Sequence, residues 1–175
     1  TYTLINVHFS SRSGSESLFG ADQPPENAAA AARLAQAEVV RDYVDGLLAQ
    51  DPNANVVVLG DFNGFLFEDF QQLLTADGTL TNLATLLPEG ERYSYQFDGN
   101  NQLIDHILVS RNLVANAQFD AVARNAERFG LPQNGGSPSD HDPVLALLLP
   151  NRAPVAGADV ILVDRVGVLG DLYAI

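Results

Sequence analysis

Asn55-Val56-Val57-Val58-Leu59-Gly60-Asp61-Phe62-Asn63 is the stretch that decides how this 175-residue chain is read. Val56 to Leu59 is too short and too continuously apolar for an amphipathic helix, so it predicts a strand covered on both faces, as inside a layered sandwich. Gly60 follows where a side chain would collide. A carboxylate and a carboxamide then arrive together: Asp61 can bind a hard cation or orient a water, and Asn63 brings a donor and an acceptor suited to a phosphate ester. Alone, Gly-Asp-Phe-Asn would be no more than a turn, which these residue types favour.

Upstream, Thr1 to Phe9 alternates like a strand, with Asn6 and His8 on one face. Ser10 to Glu26, rich in Ser, Gly and Pro, predicts a long loop. Asn27 is the expected N-cap after Pro24-Pro25, and Leu34, Ala37, Val40 or Arg41, Val44, Leu47 and Leu48 recur at helical spacing up to Gln50, before Asp51-Pro52-Asn53.

Downstream, Phe65, Phe67 and Phe70 predict a short helix whose acids, Glu68 and Asp69, are exposed. Asp77-Gly78 marks a turn, and Leu80 to Leu87 a short helix or irregular segment. Tyr93, Tyr95 and Phe97 alternate, Asp98-Gly99-Asn100-Asn101 has hairpin chemistry, and Leu103 to Val109 is the expected return strand. On it Asp105 and His106 face opposite sides. Ala115 to Asn125 predicts a strand, Arg128 to Ser137 a loop and Val144 to Leu149 a closing buried strand; Asp142 is read as a solvated neighbour. Pro150 to Pro154 is linker-like, so residues 150–175 are expected to hold a linker and the start of a further module or an extra strand.

Composition narrows the class. With 46% hydrophobic residues and a mean hydropathy near zero the chain is a globular domain, and no apolar run reaches the roughly 18 residues of a membrane span. The formal charge is −13, and all nine Lys-or-Arg residues are arginines. That argues against a protein that coats nucleic acid through dense basic residues. It does not exclude a nuclease, because bound divalent cations invert the sign of a local site. The absence of cysteine removes disulfides, thiolate zinc sites and thiol nucleophiles.

Three further segments end expected strands with polar residues: Asn6-Val7-His8, Ile104-Asp105-His106 and Ser139-Asp140-His141-Asp142-Pro143. Together with Gly60-Asp61-Phe62-Asn63, in this order, they resemble the endonuclease/exonuclease/phosphatase superfamily, from residue 1 to about Leu149. Within it, His8 to Gly14 and Tyr95 to Asn100 look most like secreted bacterial nucleases. The resemblance implies an α/β fold, the four-layer α/β sandwich of two packed mixed sheets flanked by helices. Members usually reach the Asn-x-His strand only after an earlier strand and a metal-binding glutamate. Residues 1–149 are therefore expected to be the C-terminal half of the domain, inactive without the N-terminal half.

The implied activity is metal-dependent phosphodiester hydrolysis of DNA, or of RNA, by in-line water attack; the alternatives are a lipid or inositol headgroup phosphatase and an idle binding module. The expected catalytic residues are His8 (general acid or phosphate ligand), Asp61 (water), Asn63 (water or phosphate), and His141 (scissile phosphate) with Asp105 fixing its tautomer. Asn6, Arg12 and Asn100 are expected at the substrate. Asp140 and Asp61 are the expected ligands of Mg²⁺ or Mn²⁺, with Ca²⁺ able to bind. His106 is expected to be a packing residue. No Gly-x-Ser-x-Gly elbow for a serine hydrolase occurs. A secreted or cell-surface location follows from the resemblance alone.

Overall fold

The computed structural model describes residues 1–97, 99–122 and 139–149. β1 (Tyr2–His8) runs parallel to β2 (Asn55–Asp61), and α1 (Ala30–Gln50) joins them as a βαβ crossover. β6 (Asp105–Ser110) pairs antiparallel with the other edge of β2, and β3 (Leu80–Asn82) pairs antiparallel with β6. The four-stranded mixed sheet has the order β1-β2-β6-β3. Two smaller antiparallel pairs accompany it: β4 (Tyr95–Phe97) with β5 (Asn100–Gln102), and β7 (Gln118–Ala121) with β8 (Val144–Leu147). α2 (Asp69–Thr75) and the single-turn α3 (Arg111–Val114) complete the elements.

Strand parity divides the core in two. Val56, Val58 and Leu108 point to the helical side, where Ala37 and Val44 of α1 meet Phe62, Phe70 and Leu74. Val57, Leu59, Ile107 and Val109 point the other way, onto Phe119, Val144 and Ala146 of the β7–β8 pair. β2 is thus covered on both faces, as its unbroken apolar run requires, and the layers are helix, sheet, second sheet. Leu34, Val40, Leu47 and Leu48 flank the α1 contact as the helical period predicts. Among the described residues no helix is long and apolar enough to cross a membrane.

Several expectations are corrected. Asn27 does not cap α1; the cap position is Ala29, in left-handed backbone with φ 57°, and the Asn27 carboxamide instead bonds Arg33 and Glu68. Glu68 is buried, because two arginines converge on its carboxylate, while Asp69 is exposed as expected. Leu80 to Asn82 is a strand, drawn to the free edge of β6. The hairpin returns as β5, not as Leu103 to Val109; Asp105 to Ser110 belongs to the main sheet. Asp142 is buried, its N–H donating to Ser94 O at 2.6 Å. Arg128 to Ser137 and residues 150–175 lie outside the described residues.

Gly60 lies within β2 rather than ending it. Its φ of +140° and its approach to β1 both exclude a side chain, since a Cβ would stand 1.9 Å from the Val7 carbonyl oxygen. Gly60→Ala is expected to force β1 away from β2 and to cost at least about 2 kcal/mol. Urea unfolding measures this; an unchanged midpoint would contradict the close contact.

Candidate active site

Register alone assembles the first three side chains. His8 ends β1 opposite Asp61, and Asp61 ends β2 opposite Asp105, the first residue of β6. Three neighbouring strands therefore bring an imidazole and two carboxylates to one edge of the sheet. The His8 Nε2 lies 3.4 Å from Asp61 Oδ2, with the His8 side chain 76% exposed. Asn63, at φ 50°, turns the chain back: its N–H donates to Asp61 Oδ1 at 2.8 Å, and its Nδ2 donates to Asp61 Oδ2 at 3.0 Å and to Phe9 O at 3.1 Å. The carboxamide thus fixes the Asp61 carboxylate.

His141 arrives from a distant part of the chain. A bridge between Tyr95 and His141 sets its backbone, the two rings pack with centroids 4.7 Å apart, and His141 Nδ1 donates to Asp105 Oδ2 at 2.7 Å. A carboxylate only accepts, so the proton sits on Nδ1 and Nε2 is the acceptor of the neutral ring. Ser94 Oγ donates to the same Asp105 oxygen at 2.7 Å and accepts the Asp105 N–H at 3.2 Å. Because that hydroxyl is committed to the carboxylate rather than to the imidazole, the trio is no serine nucleophile with its base.

A cleft of about 670 Å³ contains His8, Asp61, Asn63 and His141, with Arg12 and Asn100 also on its walls. Asn6 is exposed on the same face of β1 as His8 but does not line the cleft. Asp140 is exposed. Among the described residues, one group could hold a metal ion: donor atoms of Asp61, Asp105 and His141 lie within 4.8 Å of one another, and Asp140 is not among them. The donor set suits a divalent cation. Two carboxylates face each other there, and the buried Asp105 Oδ1 has no hydrogen-bond partner.

Electrostatics follow from this crowding. Burial and then the charge of Asp105 push the Asp61 carboxyl above its ordinary value, against the Asn63 N–H and the two histidines. For His141 burial works downward, but the bond to Asp105 and the charges of Asp105, Asp61 and Asp140 outweigh it, so its pKa is raised. His106, on the opposite side of the same strand, is fully buried and held down to about 4 by that burial. Its Nε2 donates to Gly64 O at 2.9 Å while Nδ1 accepts from Asn82 at 3.1 Å, so it is a neutral packing residue as expected.

Two features escaped the sequence. Ser94 is a lone serine in Tyr93-Ser94-Tyr95, and its one cue is a small polar residue where an alternating aromatic strand points inward. Glu68, Arg33 and Asn27 carry no recognisable spacing, and no local cue would have joined them.

In excess chelator, the His141 ring is expected to titrate above its ordinary value by NMR, and lower in Asp105→Asn than in the unaltered protein, because burial then acts with less opposition. A folded pKa above the unfolded one contributes stability that is complete below the unfolded value and is lost as pH rises through the folded one. Asp105→Asn should therefore lose more stability at pH 6 than at pH 9. An unchanged His141 titration would break the assignment.

The family model for the endonuclease/exonuclease/phosphatase family matches residues 2–134. No curated protein matches the sequence. Among solved structures, truncated Caenorhabditis elegans TDP2 superposes with a TM-score of 0.58 at 19% identity, covering 83% of this chain and 53% of that one. The mannosyl-6-phosphatase Bt3783 of Bacteroides thetaiotaomicron gives 0.51 at 20%, covering 83% and 50%. The human Nocturnin catalytic domain with bound sulfate gives 0.52 at 18%, covering 81% and 44%. The chain thus spans about half the length of these structures, and at such identities they speak for the fold. With the family model covering most of the sequence, the chain belongs to the endonuclease/exonuclease/phosphatase family, whose members are metal-dependent phosphoesterases.

Proposed function

We propose that this chain carries the His8, Asp61, Asn63, Asp105 and His141 side of a phosphodiesterase site, and that the enzyme is a nuclease cleaving DNA, with RNA the second polynucleotide to test. The observation that carries the reading is the Asp105–His141 hydrogen bond of 2.7 Å beside the paired His8 and Asp61, all opening on one cleft. An imidazole oriented by a carboxylate suits a non-bridging phosphate oxygen.

Hydrolysis joins a water oxygen to phosphorus, breaks the bond to the ester oxygen, and moves one proton from the water to the departing alkoxide. Asp61, with its carboxyl held by Asn63 and its pKa raised, accepts the water's proton. His8, exposed at the mouth, supplies the proton to the leaving oxygen. His141 donates to the phosphate in its protonated form, which the surrounding acids favour. Asp61, beside the Asp105 carboxylate, would hold Mg²⁺ or Mn²⁺. When bound, that ion neutralises charge on the phosphate oxygens.

The matched structures are about twice as long as the portion they share, and Leu4 (45% exposed), Asn6 and His8 form an open side of the edge strand β1. These facts support the reading that the rest of a two-sheet domain packs there and brings a further acidic ligand. Residues 1–175 by themselves are then expected not to cleave a plasmid in Mg²⁺. Robust cleavage by that piece would mean the site needs no further ligand.

In the full-length protein, Asp61→Ala or His141→Ala is expected to lower kcat at least about 100-fold with little change in Tm. Chelator should abolish plasmid nicking, and Mg²⁺ or Mn²⁺ should restore it. Full activity in chelator, or in either variant, would overturn the proposal. Release of phosphate from a lipid headgroup in place of nicking would move it to a phosphatase.

A further inference from the structure

The cleft wall formed by the loop after β1 rests on a buried cluster that the proposed chemistry does not use. Glu68 accepts from Arg12 Nη1 at 2.6 Å, Arg33 Nη2 at 3.2 Å, Asn27 Nδ2 at 3.0 Å and the Phe65 N–H at 3.0 Å. Arg33 is fully buried and also donates to Ala28 O and to the Asn27 carboxamide oxygen. The Arg12 guanidinium lies over the Phe65 ring, 4.3 Å from its centroid.

Charge does not balance in this cluster. Two guanidiniums share one carboxylate, which leaves a surplus of +1 in a chain whose net charge is −13. A surplus charge away from water is costly unless an anion meets it. Arg33 is sealed in, so the surplus reaches solvent through Arg12, whose side chain is 16% exposed and lines the cleft. Arg12 Nε and Nη2 make no hydrogen bond among the described residues, while Nη1 and the ring face are held by Glu68 and Phe65. The result is a guanidinium fork fixed on one side and open on the other, the geometry that takes a phosphate through two parallel bonds.

No other arginine of the described residues lines the cleft. Arg41 is spent on Asp45 and Leu73 O, and Arg92 on Leu87 O and Thr85 O. The reacting phosphate already has His141 and His8 in the proposed chemistry. The cleft volume of about 670 Å³ sits within the range of sites for whole small molecules, about 300–1,000 Å³, and exceeds the needs of one phosphate. Tyr95 and Phe97 stack with centroids 6.4 Å apart on its wall, a surface suited to a base.

Resting on the nuclease reading, we infer that Arg12 holds a second, non-reacting phosphate, so that the substrate is a polynucleotide strand with a phosphate adjacent to the scissile one. Glu68 and Phe65 act on that contact as positioning residues. An isolated diester would leave the fork unmet.

The test compares thymidylyl-thymidine, which has one phosphate, with the same dinucleotide phosphorylated at its 5′ or 3′ end. Binding to the full-length protein is measured by calorimetry in chelator, where no turnover occurs. One of the phosphorylated forms is expected to bind about tenfold tighter or better. Arg12→Gln keeps a donor for Glu68 and removes the charge; it should erase the preference for the phosphorylated form, while Arg12→Lys should keep part of it. Equal binding of all three dinucleotides by the unaltered protein would overturn the inference, as would an equal loss for all three in Arg12→Gln. Tighter binding of an inositol bisphosphate than of any dinucleotide would also overturn it, by giving the second phosphate to a headgroup. Hydrolysis of bis(4-nitrophenyl) phosphate in Mg²⁺ reports the diesterase reading separately, since that diester has no second phosphate.

Discussion

The contact between Gly60 and the Val7 carbonyl is the constraint on which the site depends. β1 can lie against β2 at that register only where no Cβ intervenes, and the register sets His8 opposite Asp61 one residue later. The antiparallel pairing of β2 with β6 then places Asp105 on the far side of Asp61. His8, Asp61 and Asp105 are aligned by backbone hydrogen bonds before any side-chain interaction acts. This rigidity suits proton transfer, because backbone ladders hold position better than loops do.

Around that alignment, the buried charged groups are met by several partners each, although Asp105 Oδ1 is left without one. The Asp105 carboxylate sits in the core, and one of its oxygens is met by Ser94 and His141 together. Glu68 meets four donors. His106 and His141 are both met by partners, with opposite outcomes. His106 is enclosed, bonded through a carbonyl and a carboxamide, and stays neutral with a pKa near 4. His141 shares Asp105 and is held toward its charged form. Environment, not residue type, separates the packing histidine from the one that lines the cleft.

The strongly negative chain and the proposed polyanionic substrate are reconciled locally. Acidic side chains at the sheet edge suit a divalent cation, and the loop after β1 turns one arginine toward the cleft with surplus charge behind it. The same loop is tied to α1 through Gln36, which accepts the Ser10 N–H at 2.9 Å, and to the start of α2 through Glu68. Packing of the two helices thereby shapes the cleft wall.

What the sequence determined by itself was whatever repeats along the chain or sits within a few residues of its partner. The period of α1, the apolar run of β2, the glycine before Asp61 and the opposed directions of Asp105 and His106 are consequences of helix and strand geometry, and each was legible. The ordered motifs identified the family for the same reason, since each lies beside the strand that presents it. Only the tertiary structure decided which strand the hairpin returns to, that Leu80 to Asn82 would complete the sheet, that Ser94 would meet Asp105 across 11 residues, and that Glu68 would be claimed by Arg12 across 56. Such pairings have no period. They follow from which elements become neighbours once the apolar faces have packed, and a buried carboxylate reads in sequence like an exposed one until its partners are brought to it.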